Sequence, residues 1–236
     1  MSYRRDPFAV DEWYHCFTRG IDKRTTFESE DDCHRFIQLL YLANDTKPIS
    51  RDNFYYRSHK DILLLPKNQP IVSIGGYCLM NTHYHLLLRE IVENGISRFM
   101  QKVGTGYSMY FNAKNQRIGN VFVKPFRSKH VANDIYLRHV PQYIHLNPAE
   151  IYEPGWKKGI VANMSALEKR LIDYPFSSLA DYHGTIRPER AILDFASFDL
   201  LSSGLPKLSK VLKGAADYYA DVDRVLNPRG VASRID

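Results

Sequence analysis

Tyr77-Cys78-Leu79-Met80-Asn81-Thr82-His83-Tyr84-His85-Leu86-Leu87-Leu88 is the stretch that decides the fold class. It spans the junction of two β-rich runs, residues 71–79 and 83–89, with Met80, Asn81 and Thr82 between them. Two such runs joined by a short polar connection predict an antiparallel hairpin, although no glycine sits in the turn. In a strand, residues i and i+2 point to the same side, so His83 and His85 share a face and Tyr84 takes the other.

The neighbouring segments extend this hairpin into a sheet with helices. Upstream, Trp13–Arg19 alternates aromatic and polar residues and predicts a first strand. Ser29 with Asp32 three residues on starts a helix, and Cys33, Phe36, Ile37 and Leu40 mark its apolar face. Residues 44–70 carry Pro48, Pro66 and Pro70 and predict a long connection with room for a short helix. Downstream, Ile96, Phe99, Met100, Val103, Tyr107, Tyr110 and Phe111 keep spacings of three and four over four turns, the strongest helical signal in the chain. Gly119 then precedes an expected strand over residues 120–126. Asn133 and Asp134 can cap a helix running to Asn147, where Pro148 stops it. Pro141 should kink or split that helix. A short helix is expected over residues 175–182 and a more regular one over 215–226. Strand, helix, hairpin, helix and strand in this order predict an α+β fold, an antiparallel sheet with helices on one face.

Composition sets the outer bounds. The 236 residues are 44% hydrophobic and 25% charged, ordinary globular material with one core of typical size plus extensions. The first residues lack the apolar run of a secretory signal, and no apolar stretch approaches the ~20 residues that cross a bilayer. Cys16, Cys33 and Cys78 are odd in number and widely spaced, which reads as free buried thiols in a cytoplasmic protein. The net charge is +6, but residues 98–139 hold eight Lys/Arg and one acid, so this segment carries +7 and the rest of the chain −1. Such local excess suggests a surface that meets phosphate.

Three groups of residues can carry chemistry. His83 and His85, side by side on a strand, are within reach of one metal ion. Two half-exposed histidines on an ordinary strand are the competing reading, and a third ligand must come from elsewhere. Tyr143 and Asn147 are four apart and share a helix face. Asn offers a carbonyl oxygen to a cation, and Tyr offers a phenol whose pKa near ~10 makes it a poor nucleophile without a cation to stabilise the phenolate. The competing reading buries Tyr143 in the core and uses Asn147 to end the helix. Lastly, Arg98, Lys102, Lys114, Arg117, Lys124, Arg127, Lys129 and Arg138 are interleaved with Tyr107, Tyr110, Phe122, Phe126 and Tyr136. Cations for phosphates and rings for unstacked bases furnish a single-strand groove. A solvated face over core aromatics is the alternative.

In order and spacing, these runs resemble the single-tyrosine HUH transposases, most closely the REP-associated tyrosine transposases. The resemblance covers roughly residues 13–184. It rests on Trp13-Tyr14-His15-Cys16-Phe17-Thr18-Arg19-Gly20, the hairpin quoted above, Arg117-Ile118-Gly119-Asn120-Val121-Phe122, Phe126-Arg127-Ser128-Lys129, Tyr143-Ile144-His145-Leu146-Asn147-Pro148 and Pro175-Phe176-Ser177-Ser178. Thr82 stands where members commonly have Asn before the first motif histidine, and Phe176 stands for Trp in the closing element.

The resemblance implies a ferredoxin-like core. It implies Mg²⁺ or Mn²⁺ held by His83, His85 and Asn147, with Tyr143 as nucleophile. It also implies cleavage of single-stranded DNA beside a hairpin through a 5′-phosphotyrosine link, with strand transfer to another 3′-OH. Expected DNA contacts are Arg19, Arg98, Lys102, Arg117, Lys124, Arg127, Lys129 and Arg138. The catalytic unit is expected over residues 1–184, with a helical extension over 185–236, as a monomer or homodimer with no membrane partner. A catalytically silent hairpin DNA- or RNA-binding protein on the same fold is the alternative. A metallo-nuclease using activated water is a third reading, disfavoured because no carboxylate accompanies the two histidines. His139, four residues before Tyr143, is either a proton shuttle or a solvated helix histidine.

Overall fold

The computed structural model describes residues 7–132, 134–158, 160–194 and 211. The expected helix over 215–226 and nearly all of the extension beyond 194 lie outside these residues. So does the side chain of Arg138.

Four strands form one antiparallel sheet: β1 (Trp13–Arg19), β2 (Val72–Met80), β3 (His83–Glu90) and β4 (Arg127–His130), in the order β2-β3-β1-β4. Helix α1 (Glu30–Ala43) links β1 to β2, and α3 (Gly95–Lys114) links β3 to β4, the ferredoxin-like arrangement. The long connection after α1 contains a 3₁₀ turn, Arg51–Asn53, and a short helix, α2 (His59–Leu63).

Antiparallel register sorts the side chains, because directly opposed residues share a face. Phe17 opposes His85, Arg19 opposes His83, His15 opposes Lys129 and Phe17 also opposes Arg127. These residues form one face. Thr18 opposes Tyr84 and Cys16 opposes Leu86 on the other. Helices α1 and α3 cover the Tyr84 face, where Phe36 of α1 lies 4.5 Å, centroid to centroid, from Tyr84 and 5.3 Å from Tyr107 of α3. The histidine face receives α4 (Asp134–His145), which packs on β2 and β3. The two crossover helices thus share one face, and a further helix occupies the other.

The hairpin turn at Asn81 and Thr82 needs no glycine because neither residue has a positive φ. Its carbonyls are accepted into the fold. The amides of Thr26 and Phe27 donate to Asn81 and that of Gly20 donates to Thr82. Gly20 is required there, since a Cβ would stand 2.5 Å from the Arg24 carbonyl oxygen.

Helix α1 opens with the expected capping box between Ser29 and Asp32. Asp32 is fully buried and also meets Lys114 at 2.8 Å and the Tyr110 hydroxyl at 2.8 Å. Burial opposes its charge, but these donors and the Glu28 amide outweigh it and hold the carboxyl below its ordinary value. A depressed folded-state pKa means the stabilisation is present above the unfolded pKa and lost as pH falls through the folded one. Asp32→Ala is therefore expected to cost about 2 kcal/mol near neutral pH in urea denaturation and progressively less in acid.

Two expectations change here. Residues 120–126 do not form a strand. Phe122 makes a single bridge to Gly20, the Ile21 amide donates to Val121 and the Val123 amide donates to Arg19. Pro125, which has no N–H, ends this pairing, and the ladder resumes at Arg127. Of the kink or split expected at Pro141, the split does not occur, since α4 runs continuously through it.

Beyond α4 come α5 (Ala149–Tyr152), α6 (Met164–Ile172) and α7 (Leu179–Tyr182). The Pro175-Phe176-Ser177-Ser178 element covers the open edge of β2. Leu79 donates to Phe176, Ser178 donates to Tyr77, and Ser177 bridges Cys78. The packed body continues past residue 184. Ile192 and Leu193 are buried, and Asp194 donates its amide to Ile74. All three cysteines are buried.

Candidate active site

His83 and His85 project from β3 with ring centroids 5.1 Å apart. Each has its Nδ1 engaged. His83 Nδ1 lies 3.0 Å from the Thr82 hydroxyl, and His85 Nδ1 lies 2.9 Å from Nε2 of His15. In both rings Nε2 is the second nitrogen. The Asn147 side chain reaches the same place. Its Nδ2 donates to the Ile144 carbonyl at 2.8 Å, and its amide is hydrogen-bonded to His83. With Nδ2 so used, Oδ1 is the atom turned to the imidazole. Two imidazole nitrogens and an amide oxygen thus converge from β3 and from the turn that follows α4.

The environment keeps these rings uncharged. Burial pulls His83 down to about 4, opposed by Glu150 and assisted by Lys157. Burial, with His15 and His83 adding to it, pushes His85 well below the ordinary histidine value. Burial and then the Lys129 charge bring His15 to about 3. Neutral imidazoles keep the lone pairs that metal ligation needs. Among the described residues no group of three or more His, Cys, Asp and Glu is arranged to hold a metal, so a cation here depends on the Asn147 oxygen.

Tyr143 lies one turn before Asn147, on the helix that covers the histidine face. It is 9% exposed and stacks on His139, with ring centroids 6.1 Å apart. His139 is half-buried against this ring, neither fully solvated nor in the core. His145 is turned to other work. Its Nε2 meets the Ser178 hydroxyl at 2.7 Å, and its ring meets Tyr182.

The basic segment divides between the two sides of the sheet. Arg19, Arg127 and Lys129 share the face of His83 and His85. Exposed Arg98 and half-buried Lys102 lie on α3, against the opposite face. Lys102 donates to the carbonyls of Asp45 and Lys47 and ties down the connection after α1. Lys124 borders a groove of about 500 Å³ between α3 and residues 122–126, also on the α3 side. Arg117 follows α3 with its guanidinium 5.7 Å from the Phe111 ring. The interleaved aromatics are mostly core. Tyr107 and Phe122 are buried, Tyr110 holds Asp32, and half-buried Phe126 stacks on Phe8, whereas the Tyr136 side chain is not among those described.

Two residues escaped the sequence reading. His15 is 1% exposed and bonded to His85. Its signal was the alternation of β1, which puts His15 on the side of Phe17 and Arg19. Glu150 acts electrostatically on His83 and pairs with Lys157 at 3.5 Å.

No protein-family model matches the chain, and no curated protein is similar to it in sequence. A solved structure described as the REP associates tyrosine transposase bound to a REP hairpin is similar at 16% identity. The match covers 84% of this chain and 96% of that chain, with a TM-score of 0.47. Among the described residues no helix is long and apolar enough to cross a membrane.

Proposed function

We propose that this chain is a cytoplasmic, metal-dependent endonuclease and strand transferase for single-stranded DNA beside hairpins, with Tyr143 as nucleophile. The observation that carries this reading is the convergence of the His83 and His85 imidazoles with the Asn147 side chain, on the sheet face covered by the helix of Tyr143. The donor set is mixed nitrogen and oxygen and uncharged, which suits Mn²⁺ and, with phosphate and water oxygens added, Mg²⁺. Such a cation would polarise the scissile phosphodiester and stabilise negative charge on its oxygens.

The chain's own residues do the rest. The Tyr143 oxygen attacks phosphorus as its phenolic proton leaves. A P–O bond forms to tyrosine, the P–O bond to the 3′ oxygen breaks, and that oxygen leaves as a free 3′-OH. The new ester conserves the free energy of the old one, so attack by another 3′-OH reverses the step without an external energy source. His139, stacked on Tyr143, is the nearby imidazole suited to carry that proton. Arg19, Arg127 and Lys129 hold phosphates on the same face.

The test is incubation of hairpin-bearing single strands with Mn²⁺ and detection of a covalent protein–DNA adduct. His83→Ala is expected to lose the adduct and keep salt-sensitive DNA binding. A wild-type protein that binds hairpins and never forms product, with or without metal, would instead be a silent binder. The sorting of cations by face gives a second expectation. Arg127→Ala should lower the magnitude of the salt-dependence slope of binding by about 0.7, the share of one single-strand phosphate contact, and Lys102→Ala should leave it unchanged.

A further inference from the structure

We propose that His15 is a positioning residue of this site, accepting the Nδ1 proton of His85 and thereby holding His85 in the tautomer whose Nε2 carries the lone pair. The choice of His85 as donor, and its consequence for metal binding, rest on the functional reading above; the His15–His85 hydrogen bond does not.

One proton lies between His15 Nε2 and His85 Nδ1, 2.9 Å apart, and it belongs to one ring or the other. If His15 donated, His85 would accept at Nδ1, and its neutral ring would carry its hydrogen on Nε2. That nitrogen would then have no lone pair for a cation. Only donation from His85 to His15 leaves His85 able to ligate. A ligating imidazole whose other nitrogen is anchored in this way is fixed in both tautomer and ring orientation.

The surroundings are built to hold the pair. His15 is 1% and His85 3% exposed, so water does not compete for the bond. The two are diagonal neighbours across β1 and β3, since His85 opposes Phe17 and His15 opposes Leu87. Their rings lie 5.0 Å apart, close to parallel, and the Phe17 ring packs on both, at 4.8 Å from His15 and 5.6 Å from His85. Strand β1 is paired on both sides, to β3 and to β4, which leaves its backbone little freedom to withdraw His15. In the same site the Thr82 hydroxyl occupies the equivalent position for His83. Each histidine of the motif therefore has its own anchor, one from the hairpin turn and one from the neighbouring strand.

The test uses the full chain and two substitutions. His15→Gln keeps a polar acceptor at about the reach of Nε2, and His15→Phe keeps the ring but removes the acceptor. Long-range ¹H–¹⁵N correlations on the metal-free protein report which nitrogen of His85 carries hydrogen. The expected result is Nδ1–H in wild type and His15→Gln, with Nε2–H appearing in His15→Phe. Mn²⁺ titration by calorimetry should then show affinity lowered by roughly 10–100-fold in His15→Phe and largely retained in His15→Gln. A wild-type His85 protonated on Nε2, or a tautomer unchanged in folded His15→Phe, overturns the proposal. Should His15→Phe fail to fold, the wild-type tautomer and the His15→Gln affinity decide it. Should wild type bind no Mn²⁺, the metal reading fails, and the tautomer comparison still decides the role of His15.

Discussion

Tyr143→Phe is expected to leave no covalent protein–DNA adduct and to lower single-turnover cleavage by at least about 10³-fold, equivalent to roughly 4 kcal/mol of barrier. The substitution removes one oxygen and keeps the ring. Stacking on His139 and packing of α4 should therefore persist, and the loss should appear without a comparable fall in melting temperature or hairpin affinity. A 3′-labelled strand on a denaturing gel separates the outcomes, because the fragment joined to tyrosine keeps the 3′ end. An adduct at the wild-type level would mean that another side chain attacks. Cleavage without any adduct would mean that water attacks. Glu150, which acts on His83 from α5, would then be the carboxylate to examine.

The largest expected effect on stability lies at Arg187. Its guanidinium grips Asp181 through two hydrogen bonds, Nε to Oδ1 at 3.1 Å and Nη2 to Oδ2 at 2.6 Å. It also donates to the carbonyls of Pro175 and Ser177 and to the Tyr77 hydroxyl. Asp181 has no exposed surface, and burial raises its carboxyl above the ordinary value against the pull of the guanidinium. Removing Arg187 leaves that acid without its partner and frees two carbonyls. Arg187→Ala is expected to cost about 3–5 kcal/mol, a fall of roughly 6–20 °C in melting temperature for a chain of this size. Arg187→Ala with Asp181→Asn should be less destabilised than the two single changes added together, with coupling of about 1–3 kcal/mol. Additive effects in denaturant titrations would show that the pair does not act as a unit. Loss of this clamp should also loosen Ser178 from Tyr77 and His145, and hence the helix carrying Tyr143.

Much of the architecture was legible in the residues because its signals are local. Period-two alternation identified β1, two β-rich runs about a short polar connection identified the hairpin, period 3.6 identified α1 and α3, and Ser29 with Asp32 announced a capping box that the structure contains. What failed was non-local. Residues 120–126 are β-prone, but their pairing partners lie just beyond the end of β1, and Pro125 stops the ladder before it lengthens. Tyr107, Tyr110 and Phe122 fit either core or stacking platforms by sequence. Their neighbours in space make them core, with Tyr110 held to Asp32.

The candidate site divides in the same way. His83 and His85 share a face by strand geometry alone, and Tyr143 and Asn147 follow each other by one turn of chain. The residues by themselves determined this α+β fold, its hairpin and the identity of the ligand-type side chains, because propensity, caps and periodicity depend on near neighbours. Tertiary structure decided the rest. Antiparallel register set His15 beside His85 across 70 residues and split a +7 segment between two faces of the sheet. The packing of α4 brought the Asn147 amide to His83. Charge counted along a chain ignores which side of a sheet each residue faces. A hydrogen bond between distant strands has no local signature, since it exists only once their register is set.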